Sequence, residues 1–138
     1  PQAIAPLPQV RAVLDYALSV TAGENIFLGA PLYPYDWPLP YEKGRTRAET
    51  LSSQAAVARA RLVGAEIQFD ETARSPYYHY FDKMRREHVV WFEDARSLRA
   101  KIALAAEKGL QGIGFWQAGR ELAQAWPLLD ALVTLETL

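Results

Sequence analysis

Tyr33, Tyr35, Trp37 and Tyr41 fall within nine residues of one another, and Trp116 lies far downstream. Rings of this kind can stack on the apolar C–H face of a sugar while an O–H or N–H reaches a hydroxyl. The competing reading is that they fill a core beneath a long loop; their clustering at two strand ends favours binding. Carboxylates that could do acid–base work are Asp36, Glu66, Asp70, Glu71, Glu93 and Asp94. Glycan hydrolysis calls for an acid of raised pKa and a second assisting group. Most of these six have simpler roles. Glu66 and Asp70 fall on the polar side of an alternating strand, and Asp94 stands where a helix wants its N-cap. His79 and His88 lie on facing strands of a hairpin and could be neighbours. A metal needs three or four ligands, however, and no third is suitably spaced. No metal site and no cofactor are expected. There is no Gly-x-Ser-x-Gly elbow, and Gly112-Ile113-Gly114 lies inside a strand rather than before a helix, so it is no phosphate loop.

The elements that must position these residues can be read from spacing. Val10, Val13, Leu14, Ala17 and Leu18 form a helical stripe, with Pro8 at its start and Gly23 past its end. Residues 25–33 are apolar without alternation, which predicts a strand covered on both faces, with Pro31 near its end. The prolines and glycine of residues 34–50 predict a long ordered loop. Ser52 or Ser53 then caps an Ala-rich helix that stops at Gly64. A strand over residues 65–70 follows, with Ile67 and Phe69 on one side. Residues 77–81 and 88–92 predict an antiparallel hairpin. Asp94 caps a helix running to Gly109, residues 112–116 form a second covered strand, and Pro127 starts a new helix. Removing the middle leaves two βα units in tandem, which is the grammar of a barrel or a doubly wound sheet. In barrels the C-terminal strand ends build the active site, and that is where Tyr33, Trp37 and Trp116 fall.

Bulk composition narrows the classes. The chain has 138 residues, half of them hydrophobic and 22% charged, with a formal net charge of -1. That is a globular composition with no electrostatic reason for a nucleic acid or an anionic membrane as partner. No apolar run approaches a membrane span. The absence of cysteine excludes disulfides and thiolate chemistry. Residues 1–8 lack the basic start and apolar core of a signal peptide. The one methionine is Met84, so the chain is expected to be a processed or truncated piece.

Several ordered motifs carry a family resemblance. Phe27-Leu28-Gly29-Ala30-Pro31-Leu32-Tyr33-Pro34-Tyr35-Asp36-Trp37 resembles the seventh barrel strand of glycoside hydrolase family 18, the chitinase-like enzymes. Its continuation through Pro38-Leu39-Pro40 is similar to the spore-cortex-lytic branch, which acts on N-acetylglucosamine bonds in peptidoglycan. Residues 64–70, 75–80 and 90–97 resemble that branch's small insertion domain, and residues 109–117 resemble its eighth strand. By position, the resemblance implies that Trp116 floors the sugar subsite next to the cleaved bond and that Tyr33 lines it. Trp37, Asp36 and Gln117 are adjacent substrate-binding candidates.

One departure from the family pattern governs the functional expectation. The family's Asp-x-x-Asp-x-Asp-x-Glu signature, whose Glu is the general acid, is absent: the aspartates are Asp15, Asp36, Asp70, Asp82, Asp94 and Asp130. The expectation is an α/β C-terminal fragment of a (β/α)8 TIM barrel, comprising the last two βα units and a small α+β insertion. Residues 1–49 would hold the first helix, strand and loop, 50–94 the insertion, and 95–138 the last units. The parent would be a retaining, substrate-assisted glycosidase of the spore, the cell envelope or the extracellular space. This chain has no catalytic residue and should be inactive alone. Its partners would be the glycan and either the missing barrel strands or, in their absence, another copy of itself through self-association or strand exchange. The alternative is a non-catalytic carbohydrate-binding or interaction module.

Overall fold

The computed structural model describes residues 1–116, 123 and 125–132. Two parallel strands form its base: β1 (Phe27–Pro31) and, last of the seven strands among the described residues, β7 (Gly112–Trp116). Their register runs from Phe27 opposite Gly112 to Pro31 opposite Trp116. Parallel neighbours need a crossover. Here it includes an antiparallel sheet and the helix α3 (Ala95–Glu107), which packs on both strands.

α3 begins where a capping box predicts. The Asp94 side chain accepts from the Arg96 and Ser97 N–H groups, while Ser97 Oγ accepts from the Asp94 N–H. Its buried face carries Ser97, Leu98, Lys101, Ile102, Leu104 and Ala105. α1 (Leu7–Leu18) starts with Pro8 in the first turn, where an N–H has no intrahelical acceptor to lose. Its expected stripe is only partly covered: Leu14 is buried, but Val13 is 66% exposed. α4 (Ala125–Leu132) holds Pro127 in its first turn.

β1 and β7 depart from the expectation of cover on both faces. Leu28, Ala30, Ile113 and Phe115 pack toward the helices. Phe27, Gly29, Gly114 and Trp116 are exposed on the other side. The lack of alternation marks strands that tolerate apolar neighbours on both faces, yet the described residues cover only one. Gly112 serves a close approach, since a Cβ there would sit 3.0 Å from the Phe27 ring.

The middle of the chain is a five-stranded antiparallel sheet in the order β3-β2-β6-β5-β4. Its strands are β2 (Tyr35–Pro38), β3 (Glu49–Thr50), β4 (Gln68–Asp70), β5 (Ser75–Phe81) and β6 (Glu87–Trp91). The expected long loop therefore contains two strands, and the sheet crosses the boundary drawn between residues 49 and 50. Proline misled that reading. Pro38 closes β2 at a position paired only with β6, where a missing N–H breaks no ladder on the open side. β4 is shorter than expected because Ala65 N–H bonds back to the Ala60 carbonyl as the chain leaves a helix.

That helix, α2 (Ser53–Val63), has Ser52 as N-cap and Gly64 at φ +66° as a left-handed stop. It covers one face of the sheet. Ala56 and Ala60 meet Tyr78, Val90 and Phe92 in a core separate from those beneath β1 and β7. Small helix residues let the large tyrosine come close, and the Tyr78 hydroxyl donates 2.8 Å to the Ala56 carbonyl.

Candidate functional site

Alternation along the chain after β1 sorts side chains onto two faces. Tyr33, Tyr35, Trp37 and Tyr41 form a continuous row of edge-to-face contacts, with ring centroids 5.3, 5.8 and 5.6 Å apart in order. Tyr35 lies opposite Trp91, which lies opposite Tyr77 on the far side. Tyr77 and Trp91 stack at 4.6 Å. The aromatic face thus continues across three strands. The Tyr77–Trp91 pair was not singled out from sequence, although the period-2 alternation of the hairpin is the signal that carries it.

Trp116 is joined to this region through its backbone. It ends β7 and is 67% exposed, and its carbonyl accepts from Leu32 N–H at 2.6 Å. One backbone hydrogen bond therefore fixes Trp116 beside the residue preceding Tyr33. Burial, and then the neighbouring Tyr35, raise the Tyr33 hydroxyl above the ordinary tyrosine value, so it stays a neutral donor. The row also has a wall: Pro1, Gln2, Ala3 and Ile4 face Tyr35, Trp37 and Tyr41 across a groove of about 330 Å³. Trp37 Nε1 is buried and has no hydrogen-bond acceptor among the described residues. Gln117 lies outside the described residues.

Asp36 is placed differently from its neighbours. It points to the α2 side of the sheet and is 1% exposed. Its Oδ2 accepts from Tyr80 Oη at 2.6 Å and from Arg59 Nη1, and its Oδ1 contacts His88 Nδ1 at 2.7 Å. Arg59 also reaches Glu49 at 2.8 Å. The expectation that Asp36 touches sugar does not fit this geometry, because its oxygens are taken by three protein groups under the sheet. Burial and then donation to Asp36 push the Tyr80 hydroxyl up to about 12. Hydrogen bonding to Glu49, then to Asp36, holds the Arg59 guanidinium charged despite its partial burial. The two histidines, read as possible neighbours, are on adjacent strands but opposite faces: His79 pairs with Val89, and Tyr80 pairs with His88. His79 instead meets Glu87 at 2.9 Å. Among the described residues, no group of three or more His, Asp or Glu side chains converges on a metal-sized site.

The joint between the two sheets is an ion pair. Lys101 Nζ donates to both Glu93 oxygens, at 2.9 and 2.7 Å, and both side chains are 1% exposed. Burial raises Glu93, and the Lys101 ammonium opposes that rise. The pair ties the exit of the five-stranded sheet to the buried face of α3. From the opposite end, Ser53 Oγ donates to the Leu32 carbonyl at 3.0 Å.

The chain is similar to known proteins in sequence and in fold. The profile of glycosyl hydrolases family 18 matches residues 2–121. The cortical fragment-lytic enzyme of Bacillus subtilis is 46% identical over 130 residues, 94% of this chain and 30% of the relative. The crystal structure of the Bacillus megaterium spore cortex-lytic enzyme superposes with a TM-score of 0.93 at 40% identity, covering 97% of this chain and 31% of that one. A chitinase from Chromobacterium violaceum superposes with a TM-score of 0.86 at 26% identity, covering 99% of this chain and 41% of that one. The chain thus spans about 30% of the length of the curated relative it matches at 46% identity.

Proposed function

The chain belongs to glycosyl hydrolases family 18, and from that premise we propose that it is the C-terminal part of a glycosidase acting on N-acetylglucosamine-containing glycan. The glycan is of the peptidoglycan, spore-cortex or chitin class. β1 and β7 act as the last two strands of a (β/α)8 barrel, with α3 and α4 following in their βα units. The observation that carries this reading is the in-register parallel pairing that brings Trp116 beside Leu32, at the foot of the aromatic row. Strand ends of this kind build the active site of barrels. Trp116 and Tyr33 flank the sugar next to the cleaved bond, and Trp37 supports them from the row. Asp36 acts through the sheet frame, holding β2 so that Tyr35 and Trp37 present one face.

The chemistry of the whole enzyme is retaining and substrate-assisted. The substrate's N-acetyl oxygen attacks the anomeric carbon while a carboxylic acid protonates the departing oxygen. The aromatic walls keep the ring oriented for that attack. The present residues contain no Asp-x-x-Asp-x-Asp-x-Glu stretch, so the acid comes from elsewhere in the polypeptide or assembly. The remaining barrel strands are also the natural cover for the open edge of β1 and for an apolar groove of about 480 Å³ between α1 and β1. Without them, a second copy covers the same edge by self-association or strand exchange. The site of action is the spore or cell envelope, or the extracellular space. Among the described residues, no helix is long and apolar enough to cross a membrane.

The missing acidic stretch also favours a second reading, a non-catalytic carbohydrate-binding module. Titration of the purified chain with N-acetylglucosamine oligomers tests both. Binding without release of reducing ends is expected, and Trp116→Ala should weaken it by about 1 kcal/mol. Turnover by a clean preparation would overturn the fragment reading, and unchanged affinity in Trp116→Ala would remove that ring from the site. Sedimentation separates the two readings: self-association supports an interrupted barrel, and a compact monomer with both edges open supports a free-standing module.

A further inference from the structure

Tyr33 stands between two residues whose carbonyls are held by one segment of the chain. The Leu32 carbonyl accepts from Ser53 Oγ at 3.0 Å, and the Pro34 carbonyl accepts from Leu51 N–H at 3.1 Å. On the other side, Leu32 N–H donates to the Trp116 carbonyl at 2.6 Å. Leu32, Pro34, Leu51 and Ser53 are all buried. A carbonyl that loses its donor in such a place is not simply handed to bulk water, so each of these bonds constrains the path of the backbone.

The segment around Tyr33 has few means of its own to hold this path. Pro31 and Pro34 carry no N–H, so within residues 31–34 only Leu32 and Tyr33 bring a backbone donor. Pro34 confines Tyr33 to extended backbone but gives it no tertiary direction. The β2–β3 ladder pairs Tyr35 with Thr50 and Asp36 with Glu49. Extended by three residues, that register sets Leu32 opposite Ser53, where the chain has already turned into α2. There the backbone has left the ladder, and the Ser53 hydroxyl supplies a bond in its place. The helix start does not require that hydroxyl, because Ser52 is the cap and accepts from Ala55 N–H at 3.1 Å.

We infer that Ser53 is a positioning residue of the sugar site: its hydroxyl, together with Leu51 N–H, brackets Tyr33 and sets where that ring meets the sugar. The inference rests on the glycan reading above and adds to it a residue that touches no sugar and acts through Tyr33. The two adjacent serines thus divide their roles, Ser52 toward the helix and Ser53 toward the site.

Calorimetry with an N-acetylglucosamine tetramer on the full 138-residue chain tests this as a double-mutant cycle. Ser53→Ala should weaken binding about fivefold. In a Tyr33→Ala background it should weaken binding no further, because the ring it places is gone. Tyr78→Phe is the matched control. It too removes a buried hydroxyl that donates to a backbone carbonyl, that of Ala56, and it should leave affinity unchanged. Circular dichroism checks each fold. If Ser53→Ala does not fold, Ser53→Cys, close in shape and a weaker donor, enters the same cycle with a smaller loss in the same direction. Unchanged affinity in the Ser53 variant overturns the inference and leaves the glycan reading standing. So do equal losses in the Ser53 variant and Tyr78→Phe, or a loss that persists in the Tyr33→Ala background. No binding by the unaltered chain overturns both.

Discussion

In the five-stranded sheet each inner strand has a neighbour on both sides, and α2 closes one face over Tyr78 and Val90. The β1–β7 pair has two strands and no third among the described residues, and its uncovered face leaves Phe27 66% and Trp116 67% exposed. The first sheet has its own core and a buried polar network around Asp36. The second has apolar residues waiting for cover. The closed sheet therefore holds geometry, whereas the open pair supplies a ring that can still be touched. On the proposed reading, stability and recognition are concentrated in different places, and substitutions should separate them.

The largest effect should come from the joint between the two regions. Lys101→Met leaves the buried Glu93 carboxylate without its cation and should cost about 3–5 kcal/mol by chemical denaturation. Adding Glu93→Met should recover much of that loss, because an apolar pair of similar size needs no solvation. A single-variant cost below about 1 kcal/mol would mean that water already reaches the pair.

A smaller effect should appear at alkaline pH and should belong to the closed sheet. The Tyr80 hydroxyl is raised from 10.0 to about 12. Its contribution is fully present below pH 10.0 and is lost as pH rises through about 12. Tyr80→Phe should flatten that part of the unfolding profile, read by circular dichroism. An identical alkaline profile would remove Tyr80 from the account.

The smallest stability effect should be at the open pair. Trp116→Ala should change unfolding free energy by no more than about 0.5 kcal/mol, as for an exposed side chain. The same variant should lose sugar affinity. A loss of stability above about 1 kcal/mol would place the ring in a packed contact and erase the contrast.

Local chemistry made much of this fold legible. Ser52, Gly64 and Asp94 each end or start a helix where their side chains, or the lack of one, predict. The parallel strands were found by apolar runs bounded by turn residues. β2 and β3 were missed because proline density reads as loop, although a proline at a strand's end or on an open side breaks no ladder. The Asp36 network could not be read from spacing. Its donors Arg59, Tyr80 and His88 lie 23, 44 and 52 residues away and meet only once three strands and a helix are assembled. Trp37 was placed in an aromatic cluster by sequence, but the wall made by Pro1 to Ile4 depends on tertiary path alone.

One pairing has a consequence for how the chain tolerates change. Tyr35, at the entry to the five-stranded sheet, is the direct partner of Trp91, near its exit. A segment of more than fifty residues thus leaves and rejoins the β1–α3 crossover through two adjacent strands. To the rest of the chain it spans no more distance than a short loop, and its closure entropy depends only weakly on what lies between. Strands and turns within it can lengthen or shorten with little effect on Trp116 and Leu32, provided that Ser53 at the start of α2 keeps its hydrogen bond to the Leu32 carbonyl. On the proposed reading, the lining of the cleft can therefore diversify on its own schedule while the strand pair beneath it stays fixed.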